Sequence, residues 1–208
     1  MKKRFTANGL FLVISLLVLT QCTTKTEKED KSKPTVIVTE YGGFKTQVAW
    51  GKHLVTIMAC GDCHTPKKMT AQGPVDDSTL LLSGHPAKMP APDVNRKEME
   101  KKGLTVTNTL TAWVGPWGVS YAANLTSDAT GTGNWQESNF IVAIRQGKYK
   151  GIVDARPLMP PMPWLSYSQM TDDELKAVFA YLKSTKPINN VVPSLEPPAL
   201  IAKQTGNE

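Results

Sequence analysis

The stretch that decides how this chain is read is MACGDCHTPKK, residues 58–68. The chain holds three cysteines and three histidines, yet Cys60, Cys63 and His64 fall within five consecutive positions. A Cys-x-x-Cys-His run has three chemical readings. Structural zinc needs four thiolate or imidazole ligands. Only Cys22 remains beyond this pair, and no second Cys or His pair stands at finger-like spacing. A thioredoxin-type dithiol belongs in a βαβ setting, which the sequence pattern lacks, and it leaves His64 without a role. The third reading is c-type haem attachment. Two thiols three apart on a helical turn reach both vinyl groups of one porphyrin, and the next residue presents its imidazole to the iron from the same side. This reading uses all three residues at once.

A length of 208 residues allows one domain with a real core plus appendages. Apolar and charged content are ordinary for a globular protein, and 15 Pro with 15 Gly point to long loops. Half of the formal net charge of +6 comes from Lys2, Lys3 and Arg4. What remains is too weak an excess to indicate a nucleic-acid partner. The N-terminus reads as an export leader: the basic start is followed by an apolar run over residues 10–19, short for a bilayer span. No later span is long and apolar enough to cross a membrane. Leu19-Thr20-Gln21-Cys22 resembles the lipobox of bacterial lipoproteins, although Gln21 stands where small residues are usual. That resemblance implies removal of a signal peptide over 1–21, lipidation of Cys22 and attachment to the periplasmic side of a bacterial membrane. Two or more acyl chains would make such an anchor stable. A plain secretory leader cut elsewhere, or an uncleaved anchor, is the alternative.

Residues 22–40 begin charged and almost free of apolar side chains, the composition of a flexible tether. Val36-Ile37-Val38 is read as a short extended piece touching the domain. Residues 191–208 form a Pro-rich, irregular tail, which leaves 41–190 as the folded domain. Three helices are expected there. The first covers residues 46–58, with Val48, Leu54, Val55 and Met58 on one face, and its central Gly51 marks the close approach of another element. The second follows Gly133-Asn134, carries Phe140, Ile141 and Ile144, and stops at Gly147. The third starts at the capping box Thr171-Asp172-Asp173-Glu174, with Met170 and Leu175 at staple positions. It buries Leu175, Val178, Phe179 and Leu182 and ends at Lys186-Pro187. No alternating strand pattern is strong. The fold class is mostly α with long loops.

If one haem is bound, its iron has a second axial position, filled or vacant. His53 lies too close to His64 in sequence to reach across the ring, and His85 sits between Gly84 and Pro86 in what reads as a turn. RPLMPPMPWLSY, residues 156–167, offers Met159 and Met162. Its prolines stiffen an extended loop, able to hold a weak thioether ligand without much ordering cost. Met162 is preferred, with Met159 as the runner-up.

Four blocks carry a wider resemblance: LVTIMACGDCHTPK, LSGHPA, WVGPWGVSYAANLTSDATGTGNWQESNFIVAIRQG and PLMPPMPWLSYSQMTDDELKAVFAYLKS. Together they resemble class I, mono-haem c-type cytochromes, similar to bacterial periplasmic cytochromes and dehydrogenase cytochrome c subunits. The resemblance implies a cytochrome c fold with an insert between the haem-attachment motif and the distal Met loop. It implies thioether bonds from Cys60 and Cys63 and axial ligation by His64 and by Met162, the Met before Pro-aromatic. One Cys-x-x-Cys-His implies one haem c. Within the insert, Trp113, Trp117, Tyr121 and Trp135 are read mainly as core, with Trp135 and Asn124 as candidate propionate or ring contacts. Arg145 and Arg156 are weaker propionate candidates. The implied function is single-electron transfer rather than catalysis, with a dehydrogenase, an oxidase or another cytochrome as redox partner. A five-coordinate haem enzyme or gas sensor is the alternative, and a non-haem interaction module with a structural metal is the third.

Overall fold

The computed structural model describes residues 40–199. The leader, Cys22, the tether up to residue 39 with its Val36-Ile37-Val38 piece, and residues 200–208 lie outside the described residues.

The three expected helices are present: α1 (Gln47–Ile57), α4 (Glu137–Arg145) and α6 (Asp172–Ser184), with α2 (Cys60–His64), α3 (Arg96–Lys102) and α5 (Trp164–Tyr167) shorter. Each long helix begins with local chemistry that satisfies free backbone N–H groups. The Ala49 N–H donates to Thr46 Oγ1 at 3.1 Å. The Gln136 N–H donates to Asn139 Oδ1 at 2.9 Å, so a residue without Ser or Thr chemistry still opens α4. At α6, Glu174 N–H donates to Thr171 Oγ1 at 3.2 Å and Thr171 N–H to Glu174 Oε2 at 2.7 Å, the reciprocal box that residues 171–174 predict.

α1, α4 and α6 share one apolar core that includes Leu54, Val55, Phe140, Ile144, Leu175 and Leu182. Gly51 sits where α1 crosses α6. A Cβ there would stand 1.8 Å from the carbonyl oxygen of Ala177, so glycine is the residue that permits the contact. Val48 departs from expectation. The buried strip of α1 starts at Gly51, and Val48, one turn earlier, is exposed.

Among the described residues two hairpins complete the architecture, and neither shows in the sequence pattern. β1 (Lys67–Thr70) pairs antiparallel with β2 (Gly73–Asp76), and β3 (Ala112–Gly115) with β4 (Gly118–Tyr121). β1 and β2 are largely exposed while β3 and β4 are almost wholly buried. A strand that is wet or dry on both faces carries no period-two signal. Val106 bridges to Val114 and Glu196 to Val119, which extends the β3–β4 ribbon on both edges. Residues 191–199 are thus irregular, yet held to the domain.

Candidate haem site

α1 ends at Ile57, and Ala59 adopts a left-handed φ of +55° that turns the chain into α2. This short helix delivers Cys60, Cys63 and His64 to one cavity of about 420 Å³. Its apolar wall comes from the helical core through Val55, Phe140, Leu175 and Leu182. Leu158, Met159 and Met162 join the same cavity from the proline loop. Trp113 and Tyr121 of the β3–β4 ribbon, and Trp135 before α4, close further sides.

The bonding of His64 is set by its surroundings. Nδ1 stands 2.7 Å from the carbonyl oxygen of Ala123. A carbonyl only accepts, so Nδ1 carries the hydrogen and Nε2 keeps its lone pair. Burial holds the imidazole below its ordinary pKa, against the opposing pull of the Ala123 carbonyl. Burial thus favours the neutral ring, the form an iron ligand must take. His85, read from sequence as a turn residue, anchors this arrangement from behind. Its buried ring bonds Thr111 Oγ1 through Nδ1 and the Met89 carbonyl through Nε2, and its backbone N–H donates to the Ala122 carbonyl at 2.9 Å. Next to it, Gly84 N–H donates to the His64 carbonyl at 2.8 Å. Neither His53 nor His85 lines the cavity; His53 lies against Phe44.

Burial pushes the Cys60 thiol up to about 11 and raises that of Cys63 as well. Redox-active dithiols work by the opposite shift, a thiolate stabilised near neutral pH. The pair is built as half-buried attachment points beside an apolar cavity. Two thiols on one helical turn, a neutral imidazole with its distal nitrogen free, and apolar walls together fit a covalently attached haem.

A family model for cytochrome c matches residues 48–186, more than half of the chain. This chain belongs to the cytochrome c family. As a cytochrome c it takes haem c, and Cys60 and Cys63 fit the attachment motif. Its relatives include cytochrome subunits of dehydrogenases. It is 37% identical over 75 residues to the alcohol dehydrogenase (quinone) cytochrome c subunit of Gluconacetobacter polyoxogenes, covering 35% of this chain and 15% of that protein. The fructose dehydrogenase cytochrome subunit of Gluconobacter japonicus is 33% identical over 85 residues, covering 40% and 17%. The gluconate 2-dehydrogenase cytochrome c subunit of Pantoea cypripedii is 37% identical over 67 residues, covering 32% and 14%. The matches thus span less than a fifth of these relatives' lengths.

The remaining candidates of this cytochrome divide. Met162 packs against the helical core as well as lining the cavity. Trp135 lines the cavity, and no hydrogen-bond acceptor meets its indole N–H among the described residues. Asn124 also lines it, but its side chain is fully engaged. Nδ2 donates to Thr130 Oγ1 and the Ile188 carbonyl, and Oδ1 accepts from the Thr126 N–H and hydroxyl. No hydrogen is left for a propionate, so Asn124 acts as a knot in the wall. Arg145 is likewise taken, by the Ser168 carbonyl and Asp172 Oδ1, and is absent from the cavity lining. Arg156 lines the cavity with its guanidinium 3.9 Å above the Tyr149 ring, and Lys150 joins it. Sequence reading missed Lys150, Ser120 and Tyr167. The last donates from its hydroxyl to the Met58 carbonyl at 2.7 Å, tying the proline-loop side of the cavity to the end of α1. Nothing in the local pattern marks these contacts, which join residues far apart in the chain.

Proposed function

We propose that this cytochrome c carries single electrons through one haem held by Cys60 and Cys63, with His64 and Met162 as axial ligands. The observation that supports the reading most is a single cavity shared by the Cys60–Cys63–His64 turn and the proline-stiffened methionine loop. Bound haem supplies a one-electron iron couple. The chain's residues set its conditions. His64 offers Nε2 because Ala123 fixes its other nitrogen. Met162 completes the coordination, which leaves no open position for dioxygen or peroxide. Thioether ligation and apolar walls both favour the ferrous state and raise the potential. Lys150, Arg156 and the Trp135 indole offer cationic and N–H partners to the propionates.

The relatives named above are cytochrome subunits of dehydrogenases. By that likeness this chain accepts electrons from a dehydrogenase and passes them to an oxidase or another cytochrome, without itself catalysing a substrate reaction. The leader and Cys22 support export and a lipid anchor on the periplasmic side of a membrane. Replacing Cys22 with Ser then releases the mature protein into the soluble fraction, checked by fractionation and by mass spectrometry of the N-terminal peptide.

The ligand set is tested by visible spectroscopy of the purified full-length protein. The ferric form is expected to show a weak long-wavelength band that survives Met159→Ala and disappears in Met162→Ala. Loss in the Met159 variant instead transfers the ligand role to that residue. Ready carbon monoxide binding by the unaltered ferrous protein would replace the carrier reading with a five-coordinate enzyme or sensor.

A further inference from the structure

We propose that Ser120 is the positioning residue for the distal methionine loop, acting through a one-way hydrogen-bond relay from Trp117 through Ser120 to Pro160. The inference deepens the reading above and rests on Met162 as the ligand.

Ser120 lies in β4, buried, paired with Trp113 across the ribbon and facing the cavity. The indole Nε1–H of Trp117 stands 3.0 Å from Ser120 Oγ, and Ser120 Oγ stands 2.6 Å from the Pro160 carbonyl oxygen. The direction is forced. An indole nitrogen only donates and a carbonyl oxygen only accepts, so the serine must receive from Trp117 and give its single hydrogen to Pro160. The relay crosses from the insert to a loop forty positions away in sequence.

Its target sits between the two methionines. The Met162 N–H donates to the Met159 carbonyl at 3.2 Å, which closes the turn. Pro161 has no N–H, and that of Met162 is spent, so the turn offers the Pro160 carbonyl no donor of its own. The loop is also tied before and after the turn. Leu158 N–H donates to the Gly147 carbonyl at 2.6 Å, and Tyr167, beyond the loop, reaches the Met58 carbonyl. Ser120 is the pin at the tip. Without it, the loop retains its ends but gains freedom where the thioether must stay on the iron.

The test is the rate at which cyanide displaces the methionine from the ferric, haem-loaded, full-length protein. Ser120→Ala is expected to keep the long-wavelength ferric band at rest and to react about fivefold faster, the loss of one net hydrogen bond. Ser120→Thr, which keeps the hydroxyl, is expected to restore the rate. Trp117→Phe is expected to accelerate the reaction about twofold, because the serine loses its orienting donor. Adding Trp117→Phe to Ser120→Ala is expected to add nothing. Thr171→Ala, which weakens the start of α6 and removes no bond of the relay, serves as the control for general loosening and is expected to leave the rate unchanged.

An unchanged rate in Ser120→Ala overturns the proposal, and so does equal acceleration in Thr171→Ala. If Ser120→Ala fails to accumulate, Trp117→Phe decides, and an unchanged rate there overturns it as well. Absence of the long-wavelength band from the unaltered protein overturns the ligand reading, and the relay falls with it. A band present in all variants with uniform rates overturns the relay alone.

Discussion

Single residues in this chain owe their chemistry to the atoms that face them. Burial disfavours the charged form of His64, and the Ala123 carbonyl fixes which nitrogen carries the hydrogen and which one is free. Asn124, one position later, has no amide hydrogen left for a propionate because three neighbours consume its amide through four hydrogen bonds. Thr171→Ala tests the same principle at a helix start. Loss of the reciprocal box is expected to cost about 1 kcal/mol, read by denaturant unfolding. Asp172 gives a pH-dependent case. The hydrogen bond and charge of Arg145 hold its carboxyl below the usual carboxylate range. A depressed folded pKa contributes stability above the unfolded value, near 3.9 for Asp, and that contribution is lost as pH falls through the folded value. Acid unfolding of Asp172→Asn is therefore expected to be less steep below about pH 4 than that of the unaltered protein.

At the scale of elements, the helices were readable and the hairpins were not. α6 announces itself because its cap, staple and buried stripe all lie within fifteen consecutive residues. α1 and α4 are marked in the same local way, with the exception of Val48, whose exposure depends on where α6 crosses. Gly51 is the one place where the sequence already hinted at that crossing. Gly51→Ala is expected to force α1 and α6 apart and to cost about 3 kcal/mol, lowering the melting temperature by roughly 6–12 °C. The β3–β4 ribbon gives no such hint. Its four-residue strands are buried on both faces, and their pairing depends on Glu196 and Val106 at its edges.

The whole molecule adds a strap that lies beyond the family match at residue 186. Val191, Val192, Pro193 and Leu195 line the haem cavity, and Glu196 fastens the strap. The carboxylate of Glu196 accepts from the Tyr121 hydroxyl and from Arg96, whose other nitrogen donates to the Pro197 carbonyl at 2.6 Å. Gly118 makes room, since a Cβ there would stand 2.0 Å from the Glu196 carbonyl oxygen. Glu196→Ala is expected to speed hydrogen exchange at the Val119 and Glu196 amides at least tenfold, measured on the holoprotein, with only about 1–3 kcal/mol lost overall. Burial, then the bond to Glu196, raises the Tyr121 pKa. A raised folded pKa gives stability that is complete below the unfolded value, near 10 for Tyr, and lost as pH climbs above it. Alkaline loosening of the strap is accordingly expected to disappear in Tyr121→Phe.

The Cys-x-x-Cys-His run, the Thr171 capping box and the two methionines of the proline loop were determined by the sequence itself. Each is a pattern written within one turn or one short loop, where spacing along the chain equals spacing in space. Which groups remain free to act was decided only by tertiary structure. Arg145 was spent on Ser168 and Asp172 and one amide hydrogen of Asn124 on Ile188, His85 became an anchor, and Ser120 met Pro160 across forty residues. Hydrogen-bond valence is used up by whatever folds against a group, and no local pattern records those distant partners.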